Sequence, residues 1–340
     1  MTENISKEIH LKNRPEGLPT ENDFELTQVA IPEISEGQVL VQNIYMSVDP
    51  YMRGRMYDRK SYVPPFQIGQ PLEGGCVGRV IESKKTAFNV GDYVMSMLGW
   101  REYFVSGGEG LTKVDPGLAP LQAYLGTVGM PGMTAYVGLL YMGELKEGDT
   151  VFVSAAAGAV GSVVCQIAKL KGCYVVGSAG SDEKVSWLVE EAGIDAAFNY
   201  KTTDDVIAEV GRHFPKGIDV YFENVGGVHL EAALEHMNTK GRIVMCGMIS
   251  MYNAVEPVPG PTRLPYVISK MLTMRGFIVM DHFDKLGQFI ADMGKWIGEG
   301  KIKWKETIVD GVENAPKAFI GLFKGDNFGK MIVKVGPDPT

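Results

Sequence analysis

The sequence lacks the features that mark secreted, membrane-spanning and polyanion-binding proteins. Its 340 residues include four cysteines without a C-x-x-C pair, no N-terminal apolar segment of the secretory kind, and no apolar run of about 18 residues. The formal net charge is −8, and we interpret the densest basic cluster, residues 53–60, as a solvated or pocket-edge loop. Nucleic acids and anionic membranes require a basic face. We therefore expect a cytoplasmic protein with reduced thiols and neither kind of partner.

Histidine is scarce as well, and its distribution argues against a catalytic metal. Of the five histidines, only His10 lies in the N-terminal part of the chain. Zinc sites bring Cys, His and acidic side chains together, and His229 and His236 lack the i, i+4 spacing of two ligands on one helix face. A G-x-S-x-G nucleophile motif and a Cys–His nucleophile pair are missing too, so the sequence indicates no hydrolase. We expect no bound metal.

Apolar patterns divide the chain into two kinds of region. Residues 1 to about 120 contain short alternating runs separated by Gly and Pro, which is typical of an antiparallel domain. From Asp149 onward, strand-like and helix-like patterns alternate, which indicates βαβ units and a doubly wound parallel sheet. The tail from Lys305 returns to a strand–helix–strand pattern, and we expect it to close back on the first domain.

Two local patterns within the second region make detailed predictions. Ser181 or Asp182 should cap a helix, and its apolar face should consist of Val185, Leu188, Val189 and Ala192. The segment MRGFIVM, residues 274–280, should form one of the later strands.

The segment SAAAGAVGSVVCQIAK, residues 154–169, has the strand–loop–helix pattern of a phosphate-binding turn. The apolar run TVFVS precedes it, and Gly158 and Gly161 stand at the start of an amphipathic helix pattern, with Ala156 at the first motif position. In such turns glycines let the backbone approach the pyrophosphate and let helix and strand touch, while the helix N-terminus holds the anion. Tight packing without a ligand is the alternative. A second strand pattern, beginning at Cys173, follows the helix at the spacing of a βαβ unit, and this favours a dinucleotide site.

The end of the next strand favours NADP over NAD. An NAD site places an acidic residue about 20 positions after the first motif residue, whereas residues 175–180, VVGSAG, contain none. Lys184 follows as a candidate ligand for the 2′-phosphate. Asp182 and Glu183 make the local charge mixed, so a solvated lysine in a first helical turn is the alternative interpretation.

Several segments, in order, resemble the zinc-independent medium-chain dehydrogenases/reductases. They are VDPYMRGRM, GMPGMTAYVGLL, SAAAGAVGS, GSDEK, NYKT, FENVGG, GMIS-x-YN and FKGDNFGK. The set covers nearly the whole chain and is most similar to the prostaglandin reductases and alkenal/one double-bond reductases, especially their bacterial curcumin-reductase-like relatives. The resemblance implies an α/β fold with a Rossmann NADP-binding domain (125–297), a GroES-like, mainly antiparallel catalytic domain (1–124 and 298–340), and a homodimer.

The resemblance also implies which positions contact NADPH. Residues 157–160 would line the pyrophosphate, and Lys184 and Tyr200 would bind the 2′-phosphate. The segments 246–252 and 277–279 would flank the nicotinamide. The implied cofactor residues are Thr134, Ala157, Gly158, Ala159, Val160, Lys184, Tyr200, Asn224, Cys246, Gly247, Ile249, Ser250, Phe277, Ile278, Val279 and Asn327.

The implied reaction is reduction of the carbon–carbon double bond of an α,β-unsaturated aldehyde or ketone by NADPH. Hydride reaches the β-carbon, an enolate forms, and hydrogen-bond donors at the carbonyl oxygen lower the barrier. Tyr252 is predicted to be that donor or the source of the α-carbon proton, with the nicotinamide ribose hydroxyl or water as alternatives. Tyr51 would position the substrate. The alternative interpretation of each tyrosine is a residue of the pocket wall, or a half-buried residue, whose hydroxyl has a hydrogen-bond partner.

The sequence is also compatible with two other functions that use NADPH. An NADPH quinone oxidoreductase would use the same cofactor site on a flatter acceptor, and a non-catalytic NADPH-binding regulatory protein would need no acceptor pocket. The chain also departs from the plant alkenal reductases, which have a tyrosine where Gly75 aligns. That departure predicts a roomier pocket and leaves the substrate undefined.

Overall fold

The computed structural model describes residues 5–340, and these divide into two compact units. Unit 1 comprises the described residues up to Leu125 together with Glu306–Thr340, and unit 2 comprises Gly126–Lys305. Unit 1 consists of two segments of the chain and unit 2 of one, and each unit has its own buried core.

The second boundary lies further along the chain than the sequence patterns indicated. We expected it between residues 297 and 298, whereas the division falls after Lys305. A pair of hydrogen bonds holds the intervening segment in unit 2: Gln166 Nε2 donates to the Lys303 carbonyl and Lys303 N–H donates to Gln166 Oε1, both at 2.8 Å.

The strands and helices follow the alternation of apolar patterns along the chain. The strands are β1 (Ile5–Leu11), β2 (Phe24–Ala30), β3 (Val39–Ser47), β4 (Cys76–Ser83), β5 (Tyr93–Ser96), β6 (Tyr103–Ser106), β7 (Thr112–Val114), β8 (Thr150–Val153), β9 (Tyr174–Ala179), β10 (Ala196–Asn199), β11 (Ile218–Glu223), β12 (Met237–Met245), β13 (Thr273–Gly276), β14 (Glu306–Asp310) and β15 (Lys330–Lys334). The α-helices are α1 (Met52–Arg55), α2 (Met130–Val137), α3 (Gly161–Leu170), α4 (Asp182–Glu190), α5 (Val206–His213), α6 (Gly227–His236), α7 (Tyr266–Ser269), α8 (Leu286–Gly298) and α9 (Ala315–Lys324). A π-helical turn, Gly138–Met142, extends α2.

Unit 1 is mainly antiparallel, as the short alternating runs predicted. β1 pairs with β2, and a larger sheet has the order β14-β15-β3-β4-β5-β7, with β6 also paired to β3. β15 pairs antiparallel with β3, with Ile332 opposite Ser47. The C-terminal strand–helix–strand therefore returns to the first part of the chain, which confirms that prediction. Phe319 of α9 packs its ring 6.2 Å from Trp100 in the buried core.

Unit 2 is a doubly wound α/β sheet. Its strand order is β10-β9-β8-β11-β12-β13, and every neighbouring pair is parallel. Helices cover both faces of such a sheet, so its central strands are almost wholly apolar and buried, as β8 and β9 are here. The order reverses between β8 and β11, and ligands bind sheets of this kind at the carboxyl ends of the strands beside that reversal.

The structure agrees with the two detailed patterns of unit 2 only in part. Ser181 is the N-cap of α4, as predicted. Val189, however, is 39% exposed, and Trp187 is buried beside Leu188 because its larger ring covers more apolar surface. The strand expected over 274–280 ends at Gly276, and Val279–Lys285 forms a 3₁₀ turn instead.

The interpretation of residues 53–60 as a solvated loop is wrong for its first two arginines. Arg53 is fully buried, and its Nη2 donates to the Pro15 and Gly17 carbonyls at 3.1 and 2.9 Å. Arg55 is nearly as buried and pairs with Glu73 at 2.7 Å. Both guanidinium groups therefore bind parts of unit 1 that are distant in sequence.

Candidate functional site

The candidate residues of unit 2 lie on loops that follow neighbouring strands of the parallel sheet. Residues 154–160 follow β8, 180–184 follow β9, and 200–201 follow β10, while 224–227 and 246–252 follow β11 and β12. The carboxyl ends of parallel strands meet at one edge of a sheet. The structure therefore brings these segments to a single edge, on both sides of the strand-order reversal.

The two glycines of the loop after β8 have different roles. A Cβ at Gly161 would lie 2.4 Å from the Ala155 carbonyl oxygen, so the start of α3 packs too closely against the loop backbone to admit a side chain. A Cβ at Gly158 would meet only that same oxygen, at 3.1 Å, and its outer side is open. α3 begins at Gly161 without a side-chain cap. Ser162 N–H already donates to the Gly158 carbonyl at 3.0 Å and Val163 N–H to the Val160 carbonyl at 3.1 Å, so the loop backbone ahead of the helix is the part suited to hold a phosphate.

The alanine at the first motif position is accommodated by the neighbouring strand. A Cβ at Gly177 in β9 would lie 2.6 Å from the Ala156 Cβ, so the alanine methyl occupies the space that glycine leaves. Ala155 itself has φ +48°, a left-handed conformation that side chains other than glycine rarely adopt. The backbone of this loop is thus held in an unusual shape by its contacts with β9.

The loops after β9 and β10 meet at Gly180. A Cβ at Gly180 would lie 3.2 Å from the Tyr200 hydroxyl oxygen. Lys184 lies in the first turn of α4, where its N–H donates to the Ser181 hydroxyl at 3.4 Å. The two residues implied for the 2′-phosphate therefore come from segments that adjoin each other.

A buried carboxylate that the sequence analysis did not assign organises the centre of this edge. Glu223 ends β11 and has no exposed surface. Its Oε1 accepts hydrogen bonds from the Tyr221 hydroxyl (2.8 Å), the Ser154 hydroxyl (3.2 Å), Val225 N–H (2.7 Å) and Gly226 N–H (2.8 Å). Burial raises the pKa of Glu223 above its ordinary value. A charged residue that directly follows the apolar run VYF, residues 220–222, was the available signal.

The loop after β12 is fastened to the loop after β11 by backbone bonds. Cys246 and Gly247 N–H both donate to the Glu223 carbonyl, at 3.1 and 3.0 Å. Ile249 N–H donates to the Asn224 carbonyl at 3.2 Å. Asn224 in turn donates from Nδ2 to the Ser154 carbonyl at 2.7 Å. Loops 154–160, 224–227 and 246–252 therefore form one connected structure.

The hydroxyl of Tyr252 lies against this connected structure. Its oxygen accepts a hydrogen bond from Met248 N–H at 3.2 Å, and a Cβ at Gly247 would lie 3.0 Å away from it. Burial raises the pKa of Tyr252 above its ordinary value, so the phenol stays protonated at neutral pH. A protonated phenol is both a hydrogen-bond acceptor and a hydrogen-bond donor.

The thiol of Cys246, the first residue of this loop, is not suited to act as a nucleophile. Burial raises the pKa of Cys246 to about 12, so almost none of it is thiolate at neutral pH. The same cause raises the pKa of Cys76 and of Cys173 to about 11. These thiols do not have the character of nucleophiles.

The remaining candidate residues have simple local surroundings. In unit 2, Thr134 donates from its hydroxyl to the Met130 carbonyl at 2.8 Å within α2, and Phe277, Ile278 and Val279 follow β13. In unit 1, Asn327 Nδ2 donates to the Gly329 carbonyl at 2.8 Å. Burial raises the pKa of Tyr51, which precedes α1.

The position of Gly75 in unit 1 has room for a side chain. A Cβ there would meet Leu125 Cδ2 at 3.7 Å and Ser47 Cβ at 3.9 Å, which are ordinary contact distances. The backbone at this position therefore does not require glycine.

Residues 5–340 contain neither a cluster of metal-binding side chains nor a helix that could span a membrane. No group of three or more His, Cys, Asp or Glu side chains there is arranged to hold a metal ion. No helix in that range is long and apolar enough to cross a membrane.

The chain is similar to known oxidoreductases over almost its full length. A family described as the N-terminal domain of oxidoreductase matches residues 7–114, and one described as zinc-binding dehydrogenase matches 159–293. The NADPH-dependent curcumin reductase of Escherichia coli (strain K12) is 46% identical over 333 residues, which cover 96% of each chain. The NADP(+)-dependent 2-alkenal reductase of Nicotiana tabacum is 46% identical over 341 residues, covering 98% of this chain and 99% of that one. The crystal structure of CurA in complex with NADPH from Vibrio vulnificus matches with a TM-score of 0.93 at 44% identity, over 98% of this chain and 100% of that one.

Proposed function

The chain belongs to the medium-chain dehydrogenase/reductase family, and on that premise we propose that it reduces the carbon–carbon double bond of α,β-unsaturated aldehydes and ketones with NADPH. Relatives named for curcumin and 2-alkenal reduction support this reaction. The observation that carries the proposal is the Tyr252 hydroxyl, held by Met248 N–H on a loop of the nucleotide edge. A regulatory NADPH-binding protein has no need of such a donor.

The residues of this edge fit NADP. The open face of Gly158 and the uncapped start of α3 suit a pyrophosphate, for which residues 157–160 are the proposed ligands. No carboxylate stands within residues 175–180 to repel a 2′-phosphate, and Lys184 and Tyr200 are its proposed ligands. When bound, NADPH supplies the hydride for the reduction.

The other cofactor contacts are proposals from the same family pattern. Asn224 donates a hydrogen bond to the Ser154 carbonyl, and the Glu223 carbonyl accepts hydrogen bonds from the loop after β12. The loops after β11 and β12 are therefore preorganised before a ligand arrives. The contacts that we propose for the rest of the cofactor come from Thr134, Asn224, Cys246, Gly247, Ile249, Ser250, Phe277, Ile278, Val279 and Asn327.

Tyr252 is the proposed hydrogen-bond or proton donor to the substrate. The net reaction adds a hydride at the β-carbon and a proton at the α-carbon, and negative charge develops on the carbonyl oxygen between these events. A positioned donor lowers the cost of that charge. Tyr252 suits the role because burial keeps it protonated and the Met248 N–H bond fixes its oxygen. We propose that Tyr51, which burial also keeps protonated, positions the substrate.

The experiment that tests this function follows NADPH consumption with three acceptors: a short alkenal, an aryl enone of the curcuminoid kind, and a quinone. NADH serves as the control cofactor. The proposal expects fast turnover of an alkenal or enone, a saturated carbonyl product and a strong preference for NADPH. Turnover of the quinone alone would replace it with a quinone oxidoreductase. Tight NADPH binding without turnover of any acceptor would favour a regulatory protein.

We also propose that the protein is a homodimer that pairs through β13. This strand is the last in the order of its sheet, and an edge strand offers unpaired backbone groups to a second copy. Apolar side chains nearby are exposed, with Ile268 at 83% and Met271 at 57%. Light scattering should give twice the mass of one chain for the native protein, and Ile268→Asp should shift it toward the monomer. A native protein that is monomeric at high concentration would refute the proposal.

The free thiols support a cytoplasmic location. Cys76, Cys165, Cys173 and Cys246 are all unpaired by disulfides, and reducing compartments maintain cysteines in that state. We propose this location on that ground, and fractionation of cells that express the protein tests it.

A further inference from the structure

We propose that Lys201 is a second cationic ligand of the 2′-phosphate, so that selection of NADPH depends on Lys201 together with Lys184 and Tyr200. The inference rests on the proposed function and identifies a further specificity-determining residue within it. Neither the glycine motif nor the spacing of acidic residues had indicated Lys201.

The backbone brings Lys201 to the correct end of the sheet. β9 and β10 are parallel, with Asn199 in register with Ala179. Gly180 is therefore the first residue beyond β9, and Tyr200 is the first beyond β10. Tyr200 N–H donates to the Ala179 carbonyl at 3.1 Å, which continues the pairing past the strand end. Lys201 follows directly, at the place where a doubly wound sheet binds the adenosine ribose.

The side chain of Lys201 converges with that of Tyr200 above Gly180. A Cβ built on Gly180 would lie 3.2 Å from Lys201 Cε and also 3.2 Å from the Tyr200 hydroxyl oxygen. The ammonium nitrogen is bonded to Cε, so a cation and a phenol share the small volume beside this glycine. Lys201 is an exposed residue, so this volume lies at the surface of the sheet edge.

Hydrogen bonds hold the turn that carries Lys201 in place. Lys201 N–H donates to Asn199 Oδ1 at 3.1 Å, and the Thr203 hydroxyl donates to the Asn199 carbonyl at 2.9 Å. Asn199 Nδ2 donates to Asp182 Oδ1 at 2.8 Å, and Asp182 begins the helix that bears Lys184. The two lysine-bearing segments are therefore linked to each other. The same bond directs one oxygen of Asp182 toward a neutral amide.

The charge of the ligand calls for more than one lysine. A phosphate monoester carries about −1.5 to −2 charges at neutral pH. Lysine is a point charge that neutralises one of them, and Glu183 adds a negative charge close to Lys184. A second ammonium from the adjoining turn would balance the dianion. NADH lacks this phosphate and would gain nothing from Lys201.

The test compares Lys201→Ala with Lys201→Arg and with Lys216→Ala as a matched control. Lys216 is also exposed, but it precedes β11 and so belongs to the amino end of the strands, away from the site. Binding of adenosine 2′,5′-bisphosphate is measured by calorimetry, and steady-state rates are measured with NADPH and with NADH. We expect Lys201→Ala to weaken the bisphosphate and to raise KM for NADPH by about three- to tenfold, with less effect at high salt. In Lys201→Ala the values of kcat and of KM for NADH should not change. Lys201→Arg should bind the bisphosphate as the native protein does, and Lys216→Ala should match the native protein in every measurement.

The outcomes separate this inference from the proposed function. If Lys201→Ala behaves as Lys216→Ala while the native protein still prefers NADPH, the inference is overturned and the function stands. If Lys201→Ala weakens NADPH and NADH equally, the substitution acts on the turn rather than on the phosphate, and the inference is overturned as well. A native protein without preference for NADPH would remove the proposed cofactor, and the inference with it.

Discussion

Replacing Glu223 should loosen the whole nucleotide edge of the sheet. Its Oε1 accepts four hydrogen bonds, two from hydroxyl groups and two from backbone N–H groups. A buried donor left without an acceptor costs about 1–3 kcal/mol. Removing a buried carboxyl group offsets part of that cost, so we expect Glu223→Ala to lower the free energy of unfolding by about 3–5 kcal/mol. Glu223→Gln keeps an acceptor oxygen in place, and we expect it to cost about 1–2 kcal/mol.

The pH dependence of this effect has a definite sign. The folded protein raises the pKa of Glu223 above its ordinary 4.5, so the folded state favours the protonated carboxyl group. Its contribution to stability is fully present below 4.5 and is lost as the pH rises through the raised value. The Gln variant cannot titrate. The stability of the native protein relative to Glu223→Gln should therefore fall over that pH interval.

Urea unfolding followed by circular dichroism measures both effects, and calorimetry with NADP measures binding. Glu147→Ala is the control, because Glu147 is exposed on the turn before β8 and should change stability by less than about 0.5 kcal/mol. A Glu223→Ala variant with native stability and native NADP affinity would refute the assignment of Glu223 as the residue that holds the loops.

Three further predictions concern single residues of unit 2. Lys184→Ala should raise KM for NADPH by about one to two orders of magnitude and leave NADH nearly unchanged in steady-state kinetics, because only NADPH carries the 2′-phosphate; equal losses would contradict the assignment. Tyr252→Phe should lower kcat with an enone more than it weakens NADPH binding, because it removes a donor to the developing charge; an unchanged kcat would leave Tyr252 as a pocket-wall residue. Gly161→Ala should lower both the midpoint of urea unfolding and NADP affinity, because its Cβ would lie 2.4 Å from the Ala155 carbonyl oxygen; a native affinity would show that the loop can shift without harm.

The spacing of apolar residues was sufficient to predict the fold, because strands and helices differ in the period at which apolar residues recur. The apolar runs of β8 and β9, and the glycine loop between β8 and α3, follow from the spacing of residues a few positions apart. The return of the C-terminal strand to β3 followed from the change of rhythm near residue 305. The order of the strands also agrees with repeated right-handed βαβ units.

The residues that escaped prediction are those whose partners are distant in sequence. Glu223 looks like the end of an apolar strand, and nothing local indicates that Ser154 donates to it. Arg53 looks like a solvated charge, because the carbonyl groups that accept its hydrogen bonds belong to Pro15 and Gly17. The approach of Tyr200 and Lys201 to Gly180 likewise depends on the register of β10 against β9. Periodicity shows which face of an element is apolar, but not which polar groups meet across elements.

The position of the transferred hydrogen tests the central proposal most directly. The protein would be given an aryl enone and NADPH deuterated at the transferable hydrogen, and the product would be examined by nuclear magnetic resonance. Reduction of the carbon–carbon double bond predicts a saturated ketone with deuterium at the β-carbon and a solvent-derived hydrogen at the α-carbon. Deuterium on the carbonyl carbon of an allylic alcohol would contradict that proposal and identify a carbonyl reductase instead.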